Sequence, residues 1–242
     1  MLFALLAANA CSSWSGTAEV GYAQLAVRGD LALSDTGSTS EQSVRSAFGL
    51  GDDRGAPYAR GRLDVGPLAL SGSVMSLQEN GEGVLQSGFG GLVAGTPVAS
   101  DLDVAIGKLA AAFDLRLGPV RVQPGLAMDV VDLDFTVRET VLGNREEIDE
   151  LLGIPLLFVR SEVAVGDFLA TAELGYLDIT SAGDGGRFLD AEARLQWTPV
   201  APVSFAVGYR HLGIDANGAT DGGQVGVDLT LSGWFVGGGL RF

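Results

Sequence analysis

From Glu19 onward the chain repeatedly sorts its residues by parity, and few folds can accommodate that sorting. Val203, Phe205, Val207 and Tyr209 alternate with Ser204, Ala206, Gly208 and Arg210. Leu189, Ala191, Ala193, Leu195 and Trp197 alternate with Asp190, Glu192, Arg194 and Gln196. Leu109, Ala111, Phe113, Leu115 and Leu117 oppose Lys108, Asp114 and Arg116, and Leu63 and Val65 oppose Arg60, Arg62 and Asp64. A period of two places alternate side chains on opposite faces of a strand, so each segment is an extended strand with one apolar and one charged face.

The segments are joined in two ways. Gly66-Pro67 and Gly118-Pro119 recur between strand-like flanks, and Val165-Gly166-Asp167-Phe168 and Thr198-Pro199-Val200-Ala201-Pro202 make two further tight connections. Longer polar or acidic stretches alternate with them: Ser34 to Arg54, Glu79 to Ser100, Arg138 to Gly153, Ser181 to Gly186 and Asp215 to Gly223. Short turns at one end and long loops at the other are the layout of an outer-membrane barrel. The strands expected are Glu19 to Leu33, Pro57 to Val65, Leu68 to Gln78, Asp101 to Leu117, Val120 to Val137, Ile154 to Val165, Phe168 to Ile179, Arg187 to Trp197, Val203 to Ile214 and Gln224 to Phe242. That makes about ten, with eight as the alternative, in an all-β, antiparallel, up-and-down transmembrane barrel.

Composition separates this barrel from a soluble one. The chain is 47% hydrophobic and 19% charged, with 36 glycines and 8 prolines. Outside the N-terminus no apolar run reaches the roughly 18 residues of a membrane helix. A membrane protein of this kind must therefore satisfy its backbone with a closed sheet. The alternative is a lipocalin-like barrel with a greasy interior and a charged exterior. The apolar face here is rich in alanine and glycine, which fill an interior poorly but are no handicap against lipid. The charged face carries both signs, and Lys108 is the one lysine, so the cations are almost all arginine, whose planar fork suits confined pairing with carboxylates. An arginine at the bilayer midplane costs about 2–4 kcal/mol, so the charged face is expected in the lumen. The expected lumenal network comprises Arg60, Arg62, Asp64, Lys108, Asp114, Arg116, Arg121, Asp129, Arg160, Glu162, Glu173, Asp190, Glu192, Arg194 and Arg210.

Residues 1–17 read as a leader and short linker, and residues 18–242 as the barrel. Leu2 to Ala8 is a short apolar stretch without a basic start, and Ala8-Asn9-Ala10 offers small residues for cleavage. Cys11, the single cysteine, excludes an internal disulfide; its alternative role is the acylated residue of a lipoprotein. The other end of the chain, Trp234-Phe235-Val236-Gly237-Gly238-Gly239-Leu240-Arg241-Phe242, resembles the C-terminal assembly signal of outer-membrane proteins. Gly237, Leu240 and Phe242 occupy its glycine, apolar and terminal aromatic positions, while Phe235 stands where a polar residue is common. Together with Val98-Ala99-Ser100-Asp101-Leu102-Asp103 and Gly208-Tyr209-Arg210, this makes the chain after Thr17 similar to small bacterial outer-membrane β-barrel proteins. The resemblance implies a fold and a location, the outer membrane of a Gram-negative cell, and insertion by the barrel-assembly machinery. It brings no binding or catalytic residues.

The net charge of -15 argues against nucleic acid, which requires a basic face. His211 is the single histidine, and its parity puts it with Tyr209 on the outward face near the outer rim, with Asp215 four positions on. No serine motif or second histidine joins it, so no catalytic residue is assigned and the chain is expected not to be an enzyme. Asp52-Asp53, Asp132 with Asp134, and Glu146-Glu147 with Asp149-Glu150 lack the spacing of a calcium loop. Solvated loops are the expectation for them, with cations bridging lipopolysaccharide phosphates as the alternative. No metal or cofactor is expected; the partners expected are outer-membrane lipids and lipopolysaccharide, around a monomer. Three roles remain in order: a structural or surface-interaction barrel with a narrow, charge-filled lumen; a small porin-like channel; and a lipid-modifying enzyme or protease.

Overall fold

The computed structural model describes residues 14–34, 41–180, 185–220 and 223–242. The leader and Cys11 lie outside them. Ten long strands run antiparallel: β1 (Trp14–Ser34), β3 (Arg54–Val65), β4 (Leu68–Val84), β5 (Pro97–Phe113), β7 (Val120–Glu139), β8 (Arg145–Val165), β9 (Phe168–Thr180), β10 (Gly185–Val200), β11 (Val203–Thr220) and β12 (Gly223–Arg241). Two short strands, β2 (Gln42–Ser43) and β6 (Leu115–Leu117), and one helical turn, α1 (Val44–Phe48), complete the described elements. Each long strand pairs with the next, and β12 pairs with β1 from Thr17↔Arg241 to Ser34↔Gln224, so the sheet closes on itself. Closure leaves no lipid-facing backbone edge at that seam.

The tight turns work as the sequence indicates. Gly66, Gly118 and Gly166 each take a positive φ, of 58°, 66° and 58°, at the first turn position, where a side chain would be strained. All four tight turns lie at one end of the barrel, together with Trp14 and Phe242, which is the periplasmic end of an outer-membrane barrel. The opposite end departs from the expected long loops. Arg138 to Gly153 is largely strand, with β7 and β8 paired out to Arg138↔Arg145, and β11 continues through the stretch expected to be a loop from Asp215. Twenty residues of β7 span roughly 65 Å along the strand, about twice what the bilayer requires.

The acidic residues of these stretches belong to strand that continues past the lipid band. On β7, Val122, Leu126, Met128 and Val130 face outward, followed on the same face by Asp132 and Asp134. On the inward face, Gln123 and Asp129 give way at the same level to Val131, Leu133, Phe135 and Val137. Side-chain parity is unbroken, but polarity inverts. Below the inversion the barrel is a membrane protein, greasy outside and polar inside; above it, it is built like a soluble barrel with an apolar core.

Aromatic residues mark both borders of the apolar band. Phe168 and Trp197 stack at 6.3 Å, Trp197 meets Phe205 at 6.2 Å, and Trp14 meets Phe242 edge-on at 5.8 Å near the periplasmic turns. Tyr209 and Trp234, 5.2 Å apart, with Tyr22 and Tyr176, form the outer girdle. Amphipathic rings favour this depth, where one edge meets lipid and the other water.

Candidate functional site: the barrel interior

The inward faces below the inversion meet in a web of ion pairs that crosses the lumen. Arg60 on β3 reaches Glu192 on β10, and its Nη1 lies 3.5 Å from Glu173 Oε1 on β9. Arg160 Nε donates to the same Glu173 oxygen at 2.9 Å and its Nη2 to Ser71 Oγ at 2.7 Å. Lys108 Nζ on β5 donates to Asp190 Oδ2 at 2.7 Å and stands 3.6 Å from Glu173 Oε2. Arg210 holds Asp190 with both prongs of its guanidinium, at 3.1 and 2.9 Å. Arg194 Nη1 donates to Glu19 Oε2 at 2.9 Å, and the Tyr58 hydroxyl donates to Glu19 Oε1 at 2.6 Å.

Nearer the periplasm, Arg62 pairs with Glu162 and with Asp64 at 2.9 Å, and Arg121 forks onto Asp114 at 3.1 and 2.9 Å. Charge alternates throughout, as a desolvated ionic cluster requires if its Coulomb attraction is to offset lost hydration. Asp129 is the exception. It is buried opposite Lys108 in register, yet neither of its oxygens has a hydrogen-bond donor among the described residues.

Arg116 corrects the expected lumenal set. Its side chain is 77% exposed, with Asp114 at 3.7 Å as its nearest acid. Asp114 stands outside the ladder between β5 and β6, and Arg121, directly opposite Arg116, already takes its carboxylate. Arg116 is left at the periplasmic rim facing water. Glu19, Tyr58, Ser71 and Gln123 join the interior although the sequence reading did not single them out. Their signal was inward parity alone, which small and polar residues share with turns.

Above the ionic web the interior is apolar and capped. Phe48 of α1 packs edge-on against Phe89 at 5.1 Å and Phe135 at 5.0 Å. The helix can lie this close to β4 because Gly81 and Gly83 lack a Cβ, which would run into the Gly49 and Ala47 carbonyl groups. Glu79 Oε1 accepts the Gly51 and Asp52 amides at 2.8 and 2.9 Å, and the Gln42 side chain binds Ser87 and Gly88 carbonyl oxygens. Residues 41–53 of the connection between β1 and β3 are thus folded into the mouth, not extended into solvent.

His211 faces outward two residues beyond Tyr209, paired in register with Ser232 and Ala191. Outside the extension, Asp103, Asp134 and Asp149 stand in one row across β5, β7 and β8, exposed and without an ion-pair partner among the described residues.

No protein-family model matches the sequence, and no curated protein does. Among solved structures the barrel is similar to the outer membrane protease OmpT from Escherichia coli, with a TM-score of 0.60 and 7% identity over 94% of this chain and 96% of that one. Ail, the attachment invasion locus protein of Yersinia pestis, aligns at a TM-score of 0.40 and 14% identity over 95% and 99% of the two chains. The translocator domain of autotransporter NalP from Neisseria meningitidis aligns at 0.39 and 14%, over 95% and 87%. The chain has the closed antiparallel fold of a bacterial outer-membrane β-barrel. The likeness to OmpT, at 7% identity, is one of fold. It also overturns the expectation, drawn from the lack of a serine motif or second histidine, that the chain is not an enzyme: the same fold houses a protease in OmpT, and the fold leaves enzymatic activity open.

Proposed function

We propose that the chain is a non-conducting outer-membrane barrel that acts at the cell surface, through the part of the barrel that rises above the lipid. One observation carries this reading: side chains from opposite walls meet in the lumen, β3 with β9 and β10 through Arg60, and β5 with β10 through Lys108. A pore needs a continuous water column, whereas here the walls are tied together by fixed charges. The apolar core and the α1 cap close the same axis a second time. The outer face of the extension, with its row of Asp103, Asp134 and Asp149, is what the barrel presents beyond the lipid.

Planar-bilayer recording tests the reading: the refolded protein is expected to give no stepwise current. Reproducible unitary steps from the wild-type chain would replace it with the porin-like one.

In this reading a monomer sits among outer-membrane lipids and lipopolysaccharide, and the barrel-assembly machinery reads its last strand through Gly237, Leu240 and Phe242. Leu240 and Phe242 face outward, Gly237 faces inward beside Tyr58, and Phe242 exchanges two backbone hydrogen bonds with Gly16, at 2.7 and 2.9 Å. Deleting Phe242 is expected to lower the amount of heat-modifiable barrel in outer-membrane fractions while leaving refolding in detergent micelles largely intact. Equal losses in both assays would assign the residue to stability alone.

A further inference from the structure

The wall of the barrel has a notch on one side, and the β8 edge of that notch lines an apolar cavity. β8 pairs with β9 from Val165↔Phe168 only as far as Leu157↔Tyr176. Beyond that pair β8 continues to Arg145 against β7 alone, while β9 continues to Thr180 against β10 alone. Among the described residues, then, the β8 edge from Arg145 to Leu156 has no partner on this side. Pro155 and Gly153 sit where the ladder parts. A proline has no N–H to give a second neighbour, and its β7 pairing with Met128 is kept, so Pro155 is suited to ending the β9 side of the ladder.

The cavity has a volume of about 260 Å³. Val104, Val131, Ile148, Leu152, Ile214 and Leu229 contribute to its wall, and among the described residues Glu150 is the one charged side chain lining it. Its lining includes the β8 flank of the notch, through Ile148, Glu150 and Leu152, and residues of β11 and β12, and no described residue of β9 or β10. A dry apolar cavity of about 150 Å³ is already enough to hold benzene. The space here suits one alkyl chain of medium length and is too small for a whole lipid.

The level of the opening identifies what reaches it. Tyr176, at the last β8–β9 pair, belongs to the outer aromatic girdle, and the outward residues beside the notch, Met128, Pro155 and Leu157, are still those of the lipid-facing band. The notch therefore begins at the border between acyl chains and headgroups, continuous with the surface that lipid already covers. Higher up, the outward face turns acidic at Asp132 and Asp134, so apolar access from that side would cross solvent.

We infer that the cavity is a binding site for the alkyl chain of an outer-leaflet amphiphile, admitted sideways through the notch between β8 and β9. The carboxylate of Glu150 at its wall favours a chain with a neutral or zwitterionic head over a free fatty acid anion. The site does not depend on whether the lumen conducts.

Photolabelling of the full chain in vesicles tests this. One arm uses phosphatidylethanolamine carrying a diazirine near the end of one acyl chain, and the other a free fatty acid carrying the same group. Peptide mapping is expected to find label on the inward residues Ile148, Leu152 and Leu229 as well as on outward residues such as Leu157 and Val207. Ala216→Trp, which fills the cavity, is expected to abolish the inward label and leave the outward label unchanged. Val227→Phe serves the same purpose should the first variant lose its heat-modified mobility. Inward label in the phosphatidylethanolamine arm, at or above that in the fatty acid arm, supports the site, and inward label from the fatty acid alone overturns the assignment to a neutral or zwitterionic amphiphile. Label confined to outward residues in both arms, or inward label indifferent to a folded cavity-filling variant, overturns it.

Discussion

Glu173→Leu is expected to destabilise the barrel by about 3–5 kcal/mol, the cost of leaving buried charges without their counter-charge. Glu173 is the hub of the lumenal web: Arg60, Arg160 and Lys108, from three different strands, all lie within 3.6 Å of its carboxylate. Removing it leaves three cations facing one another in a space from which water is largely excluded. Arg160 then keeps Ser71, and Lys108 keeps Asp190, but Arg60 retains only Glu192. Urea unfolding followed by the shift between folded and unfolded gel mobility measures the loss. Adding Arg160→Met to Glu173→Leu is expected to recover part of it, because an apolar pair of similar volume carries no desolvation penalty. Asp129→Asn is the contrasting variant. That carboxylate is buried without a donor among the described residues, so neutralising it is expected to leave stability unchanged or raise it. Equal losses for Asp129→Asn and Glu173→Leu would show that the web is not organised by the pairing described above.

How far the sequence discloses this molecule depends on the distance over which each feature is encoded. Face assignment is local, and the parity of Val203 to Arg210 or Leu189 to Trp197 is enough to say which side chains share a wall. Strand ends are harder. Arg145 to Gly153 holds four acids in nine residues and reads as a loop, but once β7 and β8 leave the lipid an outward acid is simply a solvated strand residue. The signal is an inversion of polarity at constant parity, visible as Met128, Val130, Asp132, Asp134 on one face against Asp129, Val131, Leu133, Phe135 on the other. Partners across the lumen are not encoded locally at all. Arg60 meets Glu173 and Glu192, 113 and 132 residues away, only because closure brings β3 opposite β9 and β10. Arg116 fails for the opposite reason: its parity suits the lumen, but it lies past the end of the web, where Arg121 has already taken the nearby carboxylate. The notch was hidden too. Pro155 is readable as a ladder breaker, but which of its two ladders it breaks depends on where β9 ends.

The inversion of polarity yields the second large effect, and it separates two positions on one face of one strand. Leu126 and Asp134 both point outward from β7, eight residues apart. Leu126 lies in the middle of the Val122 to Val130 strip, which matches the roughly nine to eleven residues a tilted strand uses to cross the bilayer. An arginine there must be desolvated among lipid tails or drag water in with it, so Leu126→Arg is expected to cost about 2–4 kcal/mol. Asp134→Arg places the same guanidinium above the lipid, between Asp103 and Asp149, where it replaces a row of like charges with alternating ones. Its effect is expected to be within about 0.5 kcal/mol of zero, or slightly stabilising, since like charges directly opposite across strands repel. Unfolding free energies of the two variants in vesicles measure the difference, and repeating them in a fluid detergent, which can deform around an exposed charge, is expected to shrink the Leu126→Arg penalty and leave Asp134→Arg unaltered. Comparable penalties at the two positions would mean that the lipid band extends past Asp134, and that the apolar core facing it is a membrane-embedded interior and not the core of an extracellular extension.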